Sequence, residues 1–195
     1  MNTFSQFKSD SDQSHTLICC SDGKHRPAWA AHSALVQRYY DKEWGTPITT
    51  EHELLEVLSL LGFQSGLSWH LVLRKRAALR KVFADFYPDA VAQLSDATLA
   101  HLTTNPNIIR NSRKLAAVRT NARAIIEMRE RGGALEFIKQ LVQKQPISAS
   151  APDSDSESSN SAAEMLAKSL RAEGFTFVGP KLCHSLLCSI GLVSG

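Results

Sequence analysis

Helical periodicity recurs along most of this chain with no competing alternation, and that limits the folds open to it. Between Ile109 and Arg131 neither proline nor glycine interrupts, and Leu115, Val118, Ala122 and Ile125 fall on one helical face. Gly132-Gly133 then stops the run. Leu54, Val57, Leu58 and Leu61 make a second stripe, and Thr50 followed by Glu53 has the form of a capping box at its start. Further helices are predicted over 31–40, 70–84, 135–144 and 180–190, with a short one from Ser95 or Asp96 to Leu102. An amphipathic segment carries Met165, Leu166 and Leu170. No apolar–polar alternation of useful length occurs, so the expected fold class is all-α.

A chain of 195 residues can bury a core without disulfides. Residues 1–25 are polar and aperiodic and are expected to be a flexible N-terminal tail, with a helical domain over 26–195. The Ser- and Asp-rich stretch 146–160 reads as a flexible loop within that domain. The cysteines Cys19, Cys20, Cys183 and Cys188 include no Cys-x-x-Cys pair. With no signal-like or membrane-length apolar run, the expectation is a cytoplasmic protein with reduced thiols and no membrane partner. A formal net charge of +3 does not by itself point to nucleic acid, so any basic surface has to be argued locally.

One local candidate is the turn Thr104-Asn105-Pro106-Asn107-Ile108 between two predicted helices, followed by Arg110, Arg113, Lys114, Arg119 and Arg123. Turn amides and a helix N-terminus can grip one phosphate while flanking cations hold its neighbours without reading sequence. An ordinary connection with a solvated basic face would look similar. Pro106-Asn107 stands where such hairpins commonly carry glycine, and asparagine tolerates left-handed backbone. The other candidate is aromatic: Tyr39, Tyr40, Trp44 and Trp69 lie near chain bends. Their faces suit a flat cationic base, although aromatics at such positions also serve as plain core.

The segments YYDKEWGTP, FQSGLSWHLVLRKR, NIIRNSRKLAAVRTNARAI and GFTFVGPKLCHSLLCSIGL, in this order, resemble the 3-methyladenine DNA glycosylase I family from about Arg26 to Val193. The resemblance implies a helix–hairpin–helix fold and removal of 3-methyladenine from alkylated double-stranded DNA in base-excision repair. It implies base contacts at Tyr39, Gln64, Leu67 and Trp69. It implies DNA contacts at Gly66, Thr104, Asn105, Asn107, Ile108 and Arg110, to which Arg113 and Lys114 are added as flanking cations. A monomer without a cofactor is the expectation.

Departures from the family pattern bear on the chemistry. Leu61 occupies the position of a family pocket glutamate, and Val36 that of a second tyrosine. Pro27 and Tyr40 stand at two positions where the family binds a structural zinc, and Gly195 precedes the place of the C-terminal ligand pair. A substitute site from Cys19, Cys20, His25 and His184 has no supporting spacing, so no zinc is expected. No catalytic residue is assigned; Asp41 and Glu43 lie beside the pocket motif but suit loop-ordering roles equally well. The leading expectation is a glycosylase. The alternatives are a damage-binding member that does not excise, and a protein-interaction module that kept the scaffold alone.

Overall fold

The computed structural model describes residues 17–143 and 157–193. The chain runs β1 (Leu17–Cys19), β2 (His25–Pro27), α1 (Ala28–Ala31), α2 (Ala34–Lys42), α3 (Glu51–Gln64), α4 (Trp69–Val82), α5 (Pro88–Ala92) and α6 (Asp96–Leu102). It continues through α7 (Ser112–Met128), α8 (Ala134–Gln143), α9 (Glu157–Ala172) and α10 (Pro180–Ser189). The all-α expectation holds for the body of the molecule.

Its exception is a small antiparallel hairpin, in which Leu17 pairs with Pro27 and Cys19 with His25. Residues 17–25 were expected to belong to the flexible tail, and this part of that expectation is corrected. Three-residue strands are too short to show an alternation, and their pairing depends on neighbours that a period count does not see. Arg26 anchors the hairpin: its guanidinium holds both Asp22 and Asp41 and is 2% exposed. The rest of the expected tail lies outside the described residues. So does the expected 146–160 loop as far as 156, after which the chain is already helical from Glu157.

α3 lies at the centre. Of the expected stripe Leu54, Leu58 and Leu61 are buried and Val57 is half-buried; Leu55, Leu60 and Phe63 are buried as well, so the helix is enclosed on most sides. It contacts α4, α5, α7, α8 and α10. Its start is the expected capping box: Thr50 Oγ1 accepts the Glu53 amide, and the Glu53 carboxylate accepts the Thr50 amide. α7 is capped by Asn111, whose side chain accepts the Lys114 amide, and its helical path ends at Gly132 with a left-handed φ of 95°. α9 packs on α10, and the end of α10 returns to the loop after α2. There the Gly45 amide donates to Ser189 O, and a Cβ on Gly191 would lie 2.5 Å from Gly45 O.

Candidate nucleic-acid interface

α3 ends in a tight turn over Gln64-Ser65-Gly66-Leu67. The Leu67 amide donates to Gln64 O at 2.7 Å, Ser65 has φ −53° and ψ 109°, and Gly66 has φ 80°. This is type II geometry, which needs a residue tolerant of positive φ at its third position and finds glycine there. Ser68 then caps α4 by accepting the Leu71 amide.

The α6–α7 connection forms without left-handed backbone at Asn107. Instead the Asn105 side chain accepts the Asn107 amide, and Lys75 on α4 donates to Pro106 O. An Asx turn thus takes over the role that glycine commonly fills. Between this hairpin and the α3–α4 turn lies an open groove of about 630 Å³, lined by Ser65, Gly66, Leu67, Thr103, Ile109, Arg110, Asn111 and Lys114.

The groove gathers Gly66, Leu67, Arg110 and Lys114 from the expected site. Thr104, Asn105, Asn107 and Arg113 lie on or beside the hairpin but do not line it, and Ile108 is buried in the core. The Asn105 side chain hydrogen-bonds within the turn, and the Thr104 hydroxyl donates back to His101 O in α6. The basic face is divided. Arg110 and Arg113 are exposed, whereas Arg119 is engaged by Leu94 O and Asp96, and Arg123 by Ala92 O. The last two fix α7 to the α5–α6 region. Ser65, Thr103, Ile109 and Asn111 are groove residues that the sequence reading missed. A cap-forming asparagine before a long helix was the available signal for Asn111.

Tyr39 and Trp69 meet in an aromatic cluster with Trp44, Tyr40 and Trp29. Tyr39 and Trp69 touch edge to face, with centroids 5.0 Å apart and planes at 64°. They do not form a parallel slot. Burial pushes the Tyr39 phenol well above its ordinary range. Leu61 and Val36 are core residues. Trp29 was missed because a single aromatic beside the hairpin belongs to no periodic stripe.

The carboxylates beside this cluster are committed to cations. Asp41 holds Arg26 and Lys24, and the Arg26 hydrogen bond holds its pKa down at about 2. Glu43 pairs with Arg76, which also engages Glu56. Burial disfavours ionisation of Glu56, but hydrogen bonds from Arg80 and Arg76 outweigh it and lower its pKa. The loop-ordering reading of Asp41 and Glu43 therefore fits their geometry.

The chain does not offer the family's zinc donors at two of the expected positions. Pro27 has no donor atom, and Tyr40 packs edge-on against Trp29. Among the described residues, no group of three or more His, Cys, Asp or Glu is placed to hold a metal ion.

A family model described as methyladenine glycosylase matches residues 29–195. The chain is 36% identical over 171 residues to DNA-3-methyladenine glycosylase 1 of Escherichia coli K12, spanning 87% of this chain and 91% of that protein. It is 34% identical over 170 residues to the DNA-3-methyladenine glycosylase of Haemophilus influenzae, spanning 86% and 92%. A crystal structure of 3-methyladenine DNA glycosylase I superposes with a TM-score of 0.73 at 35% identity, covering 86% of this chain and 93% of the other. The Staphylococcus aureus enzyme, solved for its recognition of 3-methyladenine, gives 0.71 at 29% identity over 84% and 88%. The family model, the sequence identities and a superposition over most of the chain agree, and the chain belongs to the methyladenine glycosylase family.

Proposed function

We propose that this protein is a DNA glycosylase that removes 3-methyladenine from alkylated double-stranded DNA, opening base-excision repair. The observation that carries the reading is the groove, which sets the Gly66–Leu67 turn opposite a hairpin bearing the exposed Arg110. Phosphates sit against the hairpin, near Thr104, Asn105, Asn107 and the start of α7, where the first amides of a helix lack intrahelical partners. Arg110 and Arg113 add salt-sensitive attraction. Ile108 serves from below by fixing the hairpin to the core. Gly66 and Leu67 enter the space left by the displaced nucleotide, and Gln64 and Tyr39 border the base, which stacks on Trp69. The protein acts as a monomer in the cytoplasm, without a cofactor.

The reaction adds water at C1′ and breaks the bond from C1′ to N9. The base leaves with the bonding electrons, which neutralises its positive charge, and the water's proton passes to solvent. Because the substrate base is already cationic, departure needs less acid catalysis than a neutral base would. Leu61 supplies no carboxylate, so the protein's contribution is extrusion, stacking and exclusion of bulk water.

Purified protein is expected to release free 3-methyladenine from methylated duplex DNA, and Trp69→Ala to lower that release at least tenfold. A second reading, lesion binding without excision, is favoured by one observation: Leu61 is an apolar residue packed in the core. DNA binding without any base release would establish it in place of the first.

A further inference from the structure

Lys114 was expected among the phosphate-gripping cations, but its side chain turns inward. It is 9% exposed, and its Nζ donates to Ser65 O at 2.5 Å and to Phe63 O at 3.1 Å. Burial lowers its pKa. We propose that Lys114 is a positioning residue that holds the Gly66–Leu67 turn in register with the hairpin, and that it makes no phosphate contact.

The two accepting carbonyls explain the role. Phe63 O lies in the last turn of α3, where carbonyls lack intrahelical donors and a cation is favoured. Ser65 O belongs to the central peptide of the type II turn. Flipping that peptide would convert the turn to type I and swing the oxygen away from the amine. The ammonium therefore selects one of two turn conformations, and with it the direction in which Gly66 and Leu67 face the groove. The same residue lies in the first turn of α7, where its amide donates to the Asn111 cap. Lys114 thus joins the two walls of the groove, while Lys75 ties the hairpin to α4 through Pro106 O. A phosphate would have to draw the amine away from both carbonyls and leave them without a donor.

This role in catalysis rests on the glycosylase reading, so the test separates the two. Lys114→Met is expected to keep the salt dependence of duplex binding, whereas Arg110→Ala lowers its slope by about one. Excision by Lys114→Met is expected to lose about ten- to a hundredfold in kcat with little change in KM, as suits a displaced turn. Lys114→Arg, which can still donate to both carbonyls, should recover part of the loss. Amide hydrogen exchange supplies an arm that needs no activity: in Lys114→Met, Leu67 should exchange faster and Ile108 should not. Gly66→Ala perturbs the same turn without touching α7 and should give the same kinetic pattern, with the double variant no worse than the poorer single one. A salt slope reduced by one in Lys114→Met, or unchanged Leu67 exchange, overturns the proposal. If the wild-type protein releases no base but Leu67 exchange responds as stated, the glycosylase reading fails and the strut stands.

Discussion

Glu56 shows how a residue can be decisive and still invisible to periodicity. It sits on α3 beside the apolar stripe, 5% exposed, and its partners Arg76 and Arg80 come from α4. Nothing local in the sequence announces such a pair, because both cations reach it only once α3 and α4 pack. Glu56→Gln removes charge-assisted hydrogen bonds to a buried carboxylate, so it is expected to lower stability by about 2 kcal/mol in chemical denaturation. Glu43 would still hold Arg76, but Arg80 would lose its carboxylate. Leu61 is the opposite case. Its place in the stripe was legible, and the structure puts it in the core.

At the scale of elements, the helices were legible wherever caps and stripes agreed. The Thr50–Glu53 box, the Ser95 cap and the Gly132 stop are formed as read. The start of the long helix was read at Ile109, whereas Asn111 caps it and α7 begins at Ser112. The two preceding isoleucines are apolar and fit the stripe, but they pack as the end of the hairpin. Asn111→Ala should therefore cost about 1 kcal/mol of stability by thermal melting, and more in DNA affinity than the stability change alone would suggest, because the cap also lines the groove. The turn after α3 was legible as a Gly-containing bend. Its type was not, since that depends on a lysine from another helix.

For the whole molecule, the hairpin at Leu17–Pro27 is joined to the helical body through Arg26 and Asp41. The Asp41 pKa is depressed in the folded state, so this contribution is present above the ordinary carboxylate range and fades as pH falls toward about 2. Asp41→Asn should melt below the wild type at pH 7, with the two curves converging between about pH 4 and pH 2. The family was readable because several separated motifs agree in order. The closure of the fold was not, because it depends on backbone meeting backbone.

Gly45 and Gly191 make that closure. Gly191 has a φ of 71°, and an added Cβ would press on Gly45 O. A mutational scan should find position 191 intolerant of any side chain. Invariance there would record a seam with room for hydrogen and nothing larger, so the least tolerant positions of the chain would mark where its two ends are sewn together as well as where a ligand is held.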